Sequence, residues 1–137
     1  MNPTEAKELL LLHSFSLPDL NGPKMHSSFL GSLRPYRGNL IEENFHEVMT
    51  ALLVIAPLLE KPEVDREIVS ALWSICHLAR SWGVSPFGML QSNSLIAPED
   101  VARLASWVDQ ISYTSMALLD GAGVEVAFHE YRQQWCR

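Results

Sequence analysis

Apolar residues recur along much of the chain at the three- and four-residue intervals of an amphipathic helix. One clear example runs from Val64 to Trp82, where an apolar stripe is formed by Ile68, Leu72, Ile75, Ala79 and Trp82. Further apolar residues widen this stripe, namely Val69, Trp73 and Cys76. A helix that is apolar over so much of its circumference typically contacts several neighbours. We therefore predict that this helix is central and that Gly83 ends it.

Further helices are predicted by the same periodicity and by local start signals. Asn2-Pro3-Thr4-Glu5 has the order of a capping box with proline at the first helical position. Asn39-Leu40-Ile41-Glu42 repeats the capping-box order, and Pro98 opens a later helix ahead of two acidic residues. Pro57 predicts a kink or a break in the second helix. The predicted main helices cover residues 3–13, 40–59, 63–82, 98–120 and 124–135.

No helical period persists from residue 14 to residue 38. Proline, glycine and serine interrupt this stretch, so we expect a long irregular loop between the first two main helices. Phe29, Leu30 and Leu33 are expected to fix part of this loop to the core. No alternating strand pattern persists in the sequence either. The sequence therefore predicts an all-α fold, a single compact bundle of four to five main helices over residues 1–137.

The chain is acidic, with 10 Lys and Arg against 16 Asp and Glu and a formal net charge of −6. A general nucleic-acid binder needs clustered basic residues to neutralise phosphates. Here the basic residues are scattered and outnumbered, so we expect no nucleic-acid partner. An acidic surface instead attracts a basic protein over long distances.

The cysteines and the apolar runs bear on the compartment. Cys76 and Cys136 lack the spacing of a disulfide framework or a redox pair, so we expect a reducing environment. Cys76 is expected to be a buried apolar group, and Cys136 an oxidisable thiol. The longest apolar run, Ala51 to Leu59, has only nine residues, against about 18 for a membrane-spanning helix. With no signal-peptide pattern, a cytoplasmic protein without membrane association is expected.

The segment Glu43-Asn44-Phe45-His46 places a carboxylate and an imidazole one helical turn apart. This Glu-x-x-His spacing is used by di-iron carboxylate bundles, which need a second such motif and further carboxylates. The chain has no second Glu-x-x-His. We therefore favour a solvated polar face at Glu43, His46 and Glu47 and predict no metal and no cofactor. A small helical metal-binding protein or enzyme using Glu43 and His46 remains the alternative.

A second candidate site precedes this helix, where Arg34 and Arg37 flank Pro35-Tyr36. Guanidinium groups bind carboxylates and phosphates in forked pairs, and arginine and tyrosine are frequent in the centres of protein interfaces. Together with the adjacent helix start, the predicted partner-binding residues are Arg34, Tyr36, Arg37, Glu43, His46 and Glu47. The competing interpretation is that the arginines only tether the loop to Glu42, Glu43 or Glu47.

The sequence indicates no catalytic residues. Cys76 and His77 are adjacent and therefore point about 100° apart on a helix. No phosphate-binding loop, dinucleotide fingerprint or zinc pattern is present. The leading hypothesis is a non-enzymatic protein-interaction domain. Its specific version is an acidic immunity-like or antitoxin-like protein that neutralises a basic partner. The other alternative is a homo-oligomer that uses the wide apolar surface of the central helix or the Trp135 end.

Overall fold

The computed structural model describes residues 1–17 and 23–135. Within these ranges the regular structure is helical, apart from an isolated antiparallel bridge between Leu33 and Tyr36. The all-α prediction is therefore confirmed. The thiol of Cys136 lies outside the described residues, as do residues 18–22 of the predicted loop. No helix in the described ranges is long and apolar enough to cross a lipid bilayer.

The helices are named α1 to α8 in chain order. Their bounds are Pro3–His13 (α1), Pro23–His26 (α2), Glu42–Leu59 (α3), Arg66–Ala79 (α4), Met89–Ser92 (α5), Pro98–Leu119 (α6), Val124–Ala127 (α7) and His129–Trp135 (α8). A π-helical turn, Arg80–Val84, follows α4 directly. Two predicted helices are thus divided, because the α-helical hydrogen bonding of α4 ends at Ala79 and Phe128 separates α7 from α8.

Local side-chain bonds explain where α1 and α4 begin. The Asn2 side chain accepts a hydrogen bond from the Glu5 amide, and the Glu5 carboxylate accepts one from the Asn2 amide, so the capping box is closed. Asp65 accepts from the Glu67 amide at the start of α4. By contrast, α3 begins after Ile41 with no side-chain cap. The capping box predicted at Asn39 is not formed.

Helix α3 lies at the centre of the core. Its side chains Phe45, Val48, Leu52 and Ile55 are fully buried, and it contacts both α1 and α6. Phe45 stacks on Trp107 of α6 with ring centroids 5.6 Å apart. Tyr131 and Trp135 of α8 approach the same ring edge-on. Aromatic packing therefore joins α3, α6 and α8, and α3 runs on through Pro57 without the predicted break.

Helix α4 packs against α1 and α6 through one stripe of its surface. Ile68, Ala71, Leu72, Ile75 and Ala79 are buried there. The widened part of the apolar stripe is different, since Trp73 is 75% exposed. The π-helical turn continues past Gly83 to Val84, so Gly83 does not end the helical stretch as predicted. An added Cβ at Gly83 would lie 2.5 Å from Cδ2 of Leu104 on α6, so a larger residue would require the Leu104 side chain to move.

Candidate functional site

A groove of about 680 Å³ lies between α4 and the C-terminal half of α6. We call it the α4/α6 groove. One wall is formed by α4 and the start of the π-helical turn, with Val69, Leu72, Trp73, Cys76, His77 and Arg80. The other wall is formed by α6 and the residue that follows it, with Ser112, Ser115, Met116, Leu119 and Asp120. Ser81 and Ser85 close the end beyond Arg80.

The two helices that line the groove run antiparallel. Gly83 faces Leu104, whereas Cys76, earlier in α4, donates its thiol proton to the Val108 carbonyl at 3.9 Å. Increasing residue numbers along α4 therefore meet decreasing numbers along α6. Because a helix rises about 1.5 Å per residue, the wall from Val69 to Arg80 is about 16 Å long.

The groove exists because α4 carries two adjacent apolar stripes. One stripe faces the core, and the second is formed by Val69, Trp73 and Cys76. On α6, Met116 is 56% exposed and projects beside two small residues, Ser112 and Ser115. Small side chains on α6 leave space that the second stripe of α4 does not fill. Trp73 therefore stands at the rim of an open apolar surface.

Two polar groups of the groove, the Cys76 thiol and the Ser115 hydroxyl, are engaged within the protein. Burial raises the pKa of the Cys76 thiol to about 11, so it is protonated at neutral pH and is not an activated nucleophile. The Ser115 hydroxyl donates to the Ile111 carbonyl at 2.7 Å within its own helix. What the groove offers a ligand is mainly apolar surface.

Charged side chains lie at opposite ends of the groove. Asp120 is exposed at the end of α6, near Val69. Arg80 lies at the other end and pairs with Asp109 on α6 at 2.7 Å. Of the described lining residues other than His77, these two carry the only side-chain charges. The lining is thus electrically balanced although the chain as a whole is acidic.

The residues predicted from the sequence as a partner site lie away from this groove. Arg34 packs over the Trp82 ring, with its guanidinium carbon 5.5 Å from the ring centroid. The Tyr36 hydroxyl donates to Asp100 at 3.4 Å. Arg37 is exposed. Tyr36 and Arg34 thus connect the loop to α6 and to the π-helical turn, and neither guanidinium pairs with Glu42, Glu43 or Glu47 in the described part of the chain.

The residues at the acidic start of α3 also make contacts that are separate from one another. His46 Nδ1 lies 2.6 Å from the Tyr131 hydroxyl, and its Nε2 lies 3.9 Å from Glu42. Glu47 binds His13, and Glu43 is exposed. Among residues 1–17 and 23–135, no group of three His, Cys, Asp or Glu side chains is placed to hold a metal ion. The structure does not gather the six predicted residues into one cleft.

His13 is an important residue that the sequence did not single out. It is 1% exposed, and its Nδ1 accepts a hydrogen bond from the Phe29 amide at 3.0 Å. Its Nε2 therefore carries the proton and donates to Glu47 at 2.8 Å. Burial lowers the pKa of His13, while Glu47 opposes that effect. His13 fixes the loop to α1 and α3 and has no open position for a ligand.

Comparisons with models of protein families, with characterised proteins and with solved structures gave no significant match to this chain. The assignment of a function therefore depends on the geometry of the α4/α6 groove and on the contacts of the predicted residues. The sequence contained one signal for the groove, the widened apolar stripe at Val69, Trp73 and Cys76.

Proposed function

We propose that the protein is an interaction domain that binds one helical surface of a protein partner in the α4/α6 groove. The observation that supports this is the 75% exposure of Trp73 beside an open apolar groove. Tryptophan is enriched among the residues that dominate interface energies. Keeping so large an apolar side chain in water is unfavourable unless a partner covers it.

The shape of the groove favours a helix over a small molecule. Its volume is within the range of about 300–1,000 Å³ for small-ligand sites, but such sites enclose the ligand and converge polar groups on it. Here Trp73 and Met116 are largely exposed at the rim, and Ser115 is bonded internally. A wall about 16 Å long matches three turns of an amphipathic helix, a common occupant of such grooves.

The net charge of −6 adds to the proposal without defining the partner. It supports the version in which the protein neutralises a basic partner as an immunity-like or antitoxin-like protein, because opposite charge accelerates association. The lining of the groove is balanced between Arg80 and Asp120. We therefore base the proposal on apolar contact in the groove. A cytoplasmic location belongs to the same proposal.

Glu43 and His46 do not support a second candidate function. His46 directs one ring nitrogen to Tyr131, and the other is near Glu42 alone. A metal or catalytic centre would need further ligands that converge on this point. We therefore place the interaction in the groove and not on α3.

Site-specific photo-crosslinking in the source cells tests the proposal. A benzophenone amino acid is incorporated at position 73 or, as a control, at position 87, where Phe87 is 93% exposed outside the groove. We expect irradiation to give a discrete protein adduct from position 73 and none from position 87. Equal labelling at both positions, no adduct at position 73, or an adduct with the mass of a small molecule would overturn the proposal.

A further inference from the structure

We infer that the partner in the groove is a second copy of this chain, with the two α4/α6 grooves facing each other across a twofold axis. This inference rests on the proposed function and specifies its partner. It draws on the shape of the groove face, on the charges at its two ends and on the area that two copies can bury.

A protruding side chain and a cavity lie next to each other on the same face. Trp73 projects from α4 beside the groove that it helps to line. A twofold dimer uses the same surface of both subunits, so its interface must be complementary to itself. A twofold axis that lies in the plane between the two faces turns each Trp73 toward the groove of the other copy. The same surface thus provides both the projecting Trp73 side chain and the groove that receives it.

The end charges are complementary under a twofold axis that runs across the groove. Arg80 marks one end of the groove and Asp120 the other. The rotation reverses the direction of the groove, so Arg80 of each copy meets Asp120 of the other. Arg80 uses Nη2 for Asp109, and a guanidinium has five N–H donors, so others remain for a second carboxylate. A partner with the same charge at both ends would lose one of these pairs.

The spacing of the exposed residues fits helix packing between two copies. On α4 the groove positions Val69, Trp73 and Cys76 are separated by four and three residues. On α6 the positions Ser112, Met116 and Leu119 have the same separations. Alternating steps of three and four are the pattern of interdigitating helices. A second copy presents the same pattern.

The area available predicts a reversible dimer. From helix length and spacing, the lined face from Val69 to Ser85 measures about 20 by 24 Å, roughly 500 Å² per copy. The total of about 1,000 Å² is in the range of weak, transient interfaces. The net charge of −6 on each copy adds long-range repulsion that salt screens. We therefore expect dissociation in the micromolar range and tighter association at 0.5 M than at 0.05 M salt, where screening is about threefold weaker.

Sedimentation equilibrium of the purified chain tests the inference. We expect wild-type protein to convert from monomer to dimer with concentration, Trp73→Ala to weaken dimerisation at least tenfold, and Phe87→Ala to leave it unchanged. Circular dichroism verifies that each variant is folded. A wild-type protein that stays monomeric to several hundred micromolar would overturn the inference, as would equal effects of Trp73→Ala and Phe87→Ala.

A charge exchange tests the twofold register directly. Asp120→Arg alone and Arg80→Asp alone each place like charges at both ends, so each variant is expected to be monomeric. An equimolar mixture restores opposite charges at both ends and is expected to give a heterodimer. Failure of the mixture to dimerise, with both variants folded, would overturn the antiparallel register. If Arg80→Asp does not fold, Asp120→Arg is compared with Glu60→Arg, an exposed position outside the groove lining that is expected to dimerise at least tenfold more tightly.

The photo-crosslinking experiment separates this inference from the proposed function. An adduct from position 73 with twice the mass of the chain supports both. An adduct with a different protein, combined with a monomeric purified chain, would contradict the inference of a homodimer. It would still support the proposed function as an interaction domain. The absence of any protein adduct overturns both.

Discussion

Acidification should destabilise the folded protein through His13. In the folded chain, Nδ1 of His13 accepts the Phe29 amide and the ring is buried, so a second proton has no place without breaking that bond. Burial lowers the pKa of His13 below its ordinary value of 6.5. In the unfolded chain the ring titrates normally. Below pH 6.5 the unfolded state therefore binds more protons than the folded state, and stability falls as the pH falls.

The size of this effect is set by one proton. Between pH 6.5 and the lowered pKa of folded His13, the free energy of unfolding is expected to fall by up to about 1.4 kcal/mol per pH unit. A domain with a total stability of about 5–15 kcal/mol loses a measurable share over this interval. Urea unfolding from pH 7.5 to pH 5, followed by circular dichroism, measures the slope.

A pair of variants isolates His13 from the other titrating groups. His13→Gln removes the proton-binding ring, so the difference in stability between wild type and variant should narrow as the pH falls from 6.5. Glu47→Gln removes the carboxylate that raises the His13 pKa against the effect of burial. The fall in unfolding free energy should therefore continue to lower pH in this variant. Parallel curves for wild type and His13→Gln would refute the reasoning, because they would show that His13 takes up no extra proton on unfolding.

Two further predictions concern the core and the groove. Phe45→Ala removes a fully buried ring stacked on Trp107 and is expected to cost about 3–5 kcal/mol of unfolding free energy. The exposed control Phe87→Ala should change it by less than about 0.5 kcal/mol, and similar values for both would contradict the placement of Phe45. Cys76, with its thiol pKa raised to about 11, should react with iodoacetamide at pH 7.5 at least tenfold more slowly in the folded chain than in urea. Equal rates would contradict its burial.

The features that were readable from the sequence are local. The capping box at Asn2 joins residues three apart, so the order of residue types was sufficient to predict it. The tethers of the loop were not readable, because Tyr36 and Asp100 are 64 residues apart and meet only after α3 and α6 have packed. The pairing of His13 with Glu47 depends in the same way on how α1 is placed on α3.

The groove also combines a local feature that the sequence revealed with a long-range contact that it did not. The sequence revealed that Val69, Trp73 and Cys76 extend the apolar surface of α4. It did not reveal whether another helix covers them, because that depends on which residues of α6 lie opposite. Ser112 and Ser115 lie opposite, and their small side chains leave part of the space open beside Met116. Periodicity determines which face is apolar, whereas the packing of a distant helix determines whether that face meets water.

The C-terminal helix has a consequence for local unfolding. No side chain of α8 is fully buried, and it is anchored to α3 through Tyr131 on His46 and through the rings of Tyr131 and Trp135 on Phe45. A short helix without a fully buried side chain opens at a lower free energy than the buried helices. Its backbone amides should therefore exchange with deuterium well before those of α3. Each such opening exposes one edge of the Phe45 ring to water while the rest of the chain stays folded.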